Sequence, residues 1–184
     1  FPAGTAAACG LIGLPWQAMW NHLGASIVDD HNNANNRFEV AARLNESMAN
    51  GRDDAGASSE GPFWGCPPSK ASAHLRATKP RNGVDREWRS VESALRQQGR
   101  RPFSAWQLLG VGAVGSQSLV GIAALDRLRW NLGTRLEVWP FTTGLDAPAD
   151  AELVVAEVWP SLWPVEVPAG VVKDAAQVES TARR

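Results

Sequence analysis

Apolar positions along the chain recur mostly at helical spacing. Trp16, Met19, Trp20 and Leu23 fall at i, i+3, i+4 and i+7 after Pro15, a residue tolerated in a first helical turn, and Gly24 closes the segment. Phe38, Val40, Ala41, Leu44 and Met48 line a second helix that ends near Asn50-Gly51, and the run from His31 to Asn36 supplies side chains that bond nearby backbone and cap helices. Asp85 caps a third helix through about Gln98, with Trp88, Val91 and Leu95 on one face and charge over the rest. Gly115 or Ser116 opens a fourth, whose broad apolar face is Leu119, Ile122, Ala123, Leu125, Leu128 and Leu132.

Two runs have strand character, Leu136 to Phe141 and Leu153 to Trp159, separated by turn formers at Thr143-Gly144 and Ala147-Pro148-Ala149-Asp150. Val154-Val155-Ala156 is continuously apolar, the pattern of a central strand covered on both faces. A last helix begins at Lys173, and its sequence offers no clear apolar face to dock. Helices before and after such strands give an α/β class. One α/β domain over 1–184 is the expected organisation, with a long loop at 51–83 rich in Gly, Pro, Ser and Asp around an apolar island, Gly61 to Pro68.

Composition narrows the functional classes. At 184 residues one domain buries roughly 70% of its unfolded surface without staples. A hydrophobic share of 44% and a charged share of 20% are those of a globular protein. The net charge of -1 provides no global field for nucleic acid, so such binding needs a local patch. Cys9 and Cys66 have no paired spacing, which speaks against a disulfide framework or a four-ligand zinc site and for a reducing, cytoplasmic setting. No export signal is legible, and the longest apolar stretch, Leu108 to Leu125, is broken by Ser116, Gln117 and Ser118, so no membrane span is expected.

Three constellations are candidates for chemistry. Gly110-Val111-Gly112-Ala113-Val114-Gly115 is a literal G-x-G-x-x-G leading into a helix, with Glu137 some way downstream near the position of a ribose-binding acid. Pro102 to Leu109 is a poor buried strand to precede it, and a glycine loop packing a helix against neighbouring backbone accounts for the same residues. Glu157, past the carboxyl end of an apolar strand, and Lys173-Asp174, at a helix start, stand where open α/β sheets bind ligands. Acids converging there can hold divalent ions for phosphoryl transfer, although Glu157 in an ion pair and Asp174 as a helix-start acid explain them equally. Asn32, Asn33, Asn35, Asn36, Arg37 and Glu39 form a polar group able to grip phosphate, or a capped turn whose amides bond their own backbone.

His22, His31 and His74 lack metal spacing, and Cys66 has no fixed His partner for a nucleophile role. The chain has nine Trp and no Tyr. Trp64, Trp106, Trp139, Trp159 and Trp163 are expected to seal structure, because no basic residues interleave with them.

Asn35-Asn36-Arg37-Phe38-Glu39-Val40-Ala41-Ala42, Gly61-Pro62-Phe63-Trp64-Gly65-Cys66-Pro67, Trp106-Gln107-Leu108 with Val114-Gly115-Ser116-Gln117, Val138-Trp139-Pro140-Phe141, Glu157-Val158-Trp159-Pro160-Ser161-Leu162 and Val172-Lys173-Asp174-Ala175-Ala176-Gln177-Val178 span nearly the whole chain. Together they resemble a bacterial family of uncharacterised proteins that often carry cobalamin-biosynthesis or molybdopterin-guanine-dinucleotide labels. No corrin, pterin or iron-sulfur ligand set accompanies those labels here. The family in turn looks like a remote relative of predicted nucleases with an RNase H-like fold, a mixed sheet flanked by helices. That resemblance implies metal-dependent hydrolysis of nucleic acid or of a phosphorylated small molecule. It implies that Glu157 and Asp174 hold Mg²⁺ or Mn²⁺, that Lys173 steadies a phosphate oxygen, and that Asn36, Arg37, Glu39 and Trp64 position substrate. In such relatives an Asp in a D-x-P-F-G-like motif forms the first strand's acid, and Phe1-Pro2-Ala3-Gly4 begins just beyond its expected place. The alternatives are a nucleotide-binding protein using Gly110 to Gly115, and a non-catalytic binding module built on Trp64 and the Asn cluster.

Overall fold

A computed structural model of the chain describes residues 1–2, 4–32, 34–50, 61–80, 84, 87–146, 151–159 and 162–183. The expected cap Asp85, the turn Ala147 to Asp150, Asn33, and Pro160-Ser161 lie outside the described residues. The class is broadly α/β: helices with a small two-stranded parallel sheet. The chain forms two compact units, Phe1–Asn131 and Leu132–Arg184.

In the first unit a short helix α1 (Thr5–Ala8) precedes α2 (Pro15–Ser26), α3 (Arg37–Asn50), α4 (Ser90–Gln97) and α5 (Val114–Leu132). Pro15 sits in the first turn of α2, as its fixed φ favours, and Met19, Trp20 and Leu23 are buried. The helix does not end at Gly24. It runs through to Ser26, and Gly24 is instead a point of close approach, where an added Cβ would lie 2.4 Å from Asp126 Oδ2. On α3, Phe38, Val40, Ala41, Leu44 and Met48 are buried as the spacing predicts, and so is Asn45.

α4 starts at Ser90, where the Glu92 carboxylate accepts the Arg89 N–H at 2.7 Å, so an acid inside the first turn satisfies the helix entry. On α5 the buried positions Gly115, Leu119, Ala123 and Asp126 make a narrower stripe than expected, with Leu128 exposed, because a 19-residue helix has more apolar surface than its neighbours cover. The core gathers Leu23, Ile27, Phe38, Leu44, Phe63, Leu75, Trp106, Leu108 and Leu119.

The described part of the long loop, 61–80, is tied into this core. Trp64 N–H donates to Trp106 O (3.1 Å), Leu108 N–H donates to Trp64 O (2.9 Å), and Gly65 N–H donates to Arg76 O (2.8 Å), so the Phe63–Cys66 segment is paired on both sides. Phe63 and Trp106 meet edge to face with centroids 4.8 Å apart.

The second unit holds β1 (Leu136–Trp139), β2 (Leu153–Ala156) and α6 (Lys173–Ala182). The strands are parallel, with Leu136 opposite Leu153 and Trp139 opposite Ala156. β1 ends before Pro140, which has no N–H for the ladder, and Thr142 Oγ1 accepts the Val138 N–H at 2.9 Å. Leu136 and Val138 are buried on alternate positions. β2 corrects the expectation of a strand covered on both faces: Leu153 and Val154 are 40% and 41% exposed, because nothing among the described residues packs over them. On α6 only Ala176 is buried.

Candidate functional site

The Asn-rich turn before α3 is a lattice of side chain to backbone bonds. Asp30 Oδ1 accepts the N–H groups of Asn32 (2.8 Å) and Ala34 (2.9 Å). Asn36 uses both ends of its carboxamide: Oδ1 accepts the Val28 N–H at 2.8 Å, and Nδ2 donates to Ser26 O at 2.9 Å, which welds the exit of α2 to the start of α3. Arg37 donates from Nε to Ser116 Oγ (3.0 Å) and from Nη1 to Asn35 Oδ1 (2.8 Å), and its guanidinium lies over the Phe38 ring at 4.4 Å. Ser116 in turn donates to Leu108 O at 2.6 Å. Asn36 and Arg37 therefore join α2, α3 and the entry of α5, the role of a capped turn whose amides bond their own backbone.

Glu39 Oε1 accepts from Lys70 Nζ at 2.5 Å, and this hydrogen bond holds the carboxyl below the usual carboxylate range. Its Oε2 is buried without a hydrogen-bond partner, as is Trp64 Nε1. Trp64 borders a cavity of about 10 Å³ that Asn45, Phe63, His74 and Arg76 also line. That volume takes one water and no nucleotide.

The residue that sequence reasoning missed is Asn45. It is 1% exposed, and its Nδ2 donates to Phe63 O (2.9 Å) and His74 O (2.6 Å) while its Oδ1 accepts the Phe63 N–H (2.9 Å). The signal was present in the pattern: a lone amide on the apolar face of α3, in register with Phe38, Ala41 and Met48.

The glycine loop does not have strand–turn–helix geometry. Residues 102–109 contain no strand; Gln107 makes a single bridge to Trp64. Gln107 Nε2 fills the loop by donating to Leu109 O and Val111 O, both at 3.0 Å. The Gly115 N–H, which would face a pyrophosphate, donates to Gln107 O at 2.9 Å. A Cβ on Gly115 would lie 2.7 Å from Ala105 O, and one on Gly112 would lie 2.2 Å from Phe103 Cδ1. The glycines thus allow close packing of the α5 entry against residues 103–107.

The three residues expected to act on phosphate lie in the second unit, and Asn36, Arg37, Glu39 and Trp64 lie in the first. Glu157 directly follows the carboxyl end of β2, and Lys173 and Asp174 open α6. All three are exposed. Among the described residues, no group of three or more His, Cys, Asp or Glu comes together as metal ligands.

The thiols are poor nucleophiles. Burial pushes Cys9 up to about 11 and raises Cys66, whose Sγ sits 3.9 Å from Leu75 O. Burial, followed by the Arg43 charge, lowers His22, and His74 Nε2 lies 3.7 Å from Glu46 Oε1. No helix among the described residues is long and apolar enough to cross a membrane. Compared with protein-family models, with curated proteins and with solved structures, the chain finds no match.

Proposed function

We propose that the chain is a metal-dependent phosphodiester hydrolase of RNase H-like ancestry, with its working carboxylates in the second unit. The observation that carries this reading is Glu157, the first residue past the carboxyl end of β2 in a parallel pair, where α/β sheets hold ligands. Asp174 supplies a second hard oxygen donor from the first turn of α6. The donor chemistry fits Mg²⁺ or Mn²⁺, since Mg²⁺ keeps several waters and needs only one or two protein carboxylates. Such an ion, when bound, neutralises phosphoryl oxygens and lowers the pKa of a bound water.

Lys173, adjacent to Asp174, offers a point charge for a non-bridging phosphate oxygen. Asn36 and Arg37 stand outside the reading, because their polar atoms hold α2, α3 and α5 together. Free thiols at Cys9 and Cys66 support a cytoplasmic setting.

The test is thermal stability with and without Mn²⁺, together with cleavage of bis-p-nitrophenyl phosphate, for the chain and for its Glu157→Ala and Asp174→Ala variants. A Mn²⁺-dependent rise in Tm that both variants lose, with turnover lost alongside, supports the site. Metal affinity and cleavage unchanged in both variants overturn it.

A further inference from the structure

The basic residues of the first unit are unevenly distributed. From Ser93 to Arg101 the chain carries Arg96, Arg100 and Arg101 and no acid, although its net charge is -1. The neighbouring cations are engaged: Lys79 Nζ sits 2.7 Å from Glu87, and Arg89 Nη2 sits 2.7 Å from the largely buried carboxylate of Glu92. Arg96, Arg100 and Arg101 are exposed, and none of them is in an ion pair with a described carboxylate.

Local structure gathers these three. α4 ends in a left-handed turn at Gly99, φ 76°, with Gly99 N–H donating to Arg96 O and Arg100 N–H donating to Leu95 O, both at 3.0 Å. The reversal brings the Arg100 backbone against the last turn of α4, so that Arg100 and Arg101 follow directly on the turn that carries Arg96. The Arg96 guanidinium is 4.3 Å from the centroid of the Trp88 ring. One arginine satisfies the carbonyl end of a two-turn helix, and three exceed what the helix dipole calls for.

We propose that this turn is a docking surface for single-stranded nucleic acid. A guanidinium stacked on an indole presents a fixed cationic plane on which an unpaired base can lie. Arg100 and Arg101 are forked donors matched to the adjoining phosphates. A duplex keeps its base faces stacked inside and has nothing to place on the Arg96 plane, so the surface favours single strands. The inference does not rest on the proposed hydrolase, since the arginines lie in the first unit and binding needs no metal.

The test is fluorescence anisotropy of a labelled oligothymidylate of about 15 nucleotides, a length within the range of single-strand binding sites, with the full chain in EDTA. The triple variant Arg96→Gln/Arg100→Gln/Arg101→Gln is expected to weaken binding about tenfold or more and to reduce the salt slope by about 2, the value for three lost single-strand phosphate contacts. A control with the same change in charge at other exposed sites, Arg43→Gln/Arg135→Gln/Arg183→Gln, is expected to stay within about twofold. Trp88→Leu tests the stack separately by lowering affinity while all three charges remain. No binding by the parent chain at low salt, an equal loss in the control, or equal affinity for a duplex of the same length overturns the proposal.

Discussion

Asn45 and Phe63 are joined through both halves of one carboxamide, with Asn45 Nδ2 donating to Phe63 O and Phe63 N–H donating to Asn45 Oδ1, each at 2.9 Å. The side chain thereby replaces a strand partner for a stretch of loop that enters the core. Asn45→Ala leaves Phe63 N–H, Phe63 O and His74 O without this partner, and an expected loss of about 2–4 kcal/mol follows from unsatisfied buried amides. Urea unfolding of the variant measures it. Gly61→Ala should act on the same contact, because its Cβ would lie 2.4 Å from Asn45 Cγ, and combining the two should cost less than their sum.

Gly24 reverses the usual rule for glycine in a helix. Replacing a mid-helix glycine by alanine ordinarily stabilises by up to about 1 kcal/mol. Here the new methyl would displace Asp126, which holds Arg129 Nη2 at 2.8 Å, so Gly24→Ala is expected to destabilise by about 1–3 kcal/mol. In the Gly24→Ala/Asp126→Ala double variant the loss should fall short of additivity, as read from thermal or urea midpoints.

Glu39 and Lys70 set an acid-side dependence. The folded Glu39 carboxyl lies below its ordinary value of 4.5, chiefly through the Lys70 hydrogen bond, so its contribution is present above that pH and lost as pH falls through the lower folded value. Both side chains are more than a third exposed, and solvent screens the effect. Between pH 6 and pH 3 the urea midpoint of the parent chain should fall more steeply than that of Lys70→Gln. Parallel curves would show that the pair contributes nothing.

Gly112 separates packing from nucleotide binding. Its φ of 79° and the Phe103 ring 2.2 Å from the position of a Cβ mean that Gly112→Ala should destabilise by about 1–3 kcal/mol with no nucleotide present. Phe103→Ala should recover the steric part and leave the conformational part. A Gly112→Ala chain of unchanged stability that has lost tight NAD or ATP binding would restore the dinucleotide reading.

The helices were legible because each buries one stripe against the same core: Pro15 and the 16-19-20-23 spacing gave α2, and the 38-41-44-48 spacing gave α3 almost to its last residue. What local pattern does not carry is contact between distant segments. Gly24 read as a stop because its partner, Asp126, lies on α5. Gly110 to Gly115 read as a phosphate loop because the Gln107 side chain and carbonyl that occupy it leave no periodic trace. Continuous apolarity in Val154-Val155-Ala156 read as burial on both faces, whereas period alone does not say how many layers cover a strand. The Trp88–Arg96 stack was hidden for the same reason, since a helix pattern assigns faces and not ring contacts.

The double pairing of Trp64 governs how the first unit opens. Its N–H and C=O reach Trp106 and Leu108 on one side, Gly65 reaches Arg76 on the other, and Asn45 holds Phe63 from below. None of these bonds can fray from a chain end, and lifting the segment exposes Phe63, Cys66 and Leu75 together. The amides of Phe63, Trp64, Gly65 and Leu108 should then exchange with solvent as one slow cooperative group, at the rate of global rather than local opening.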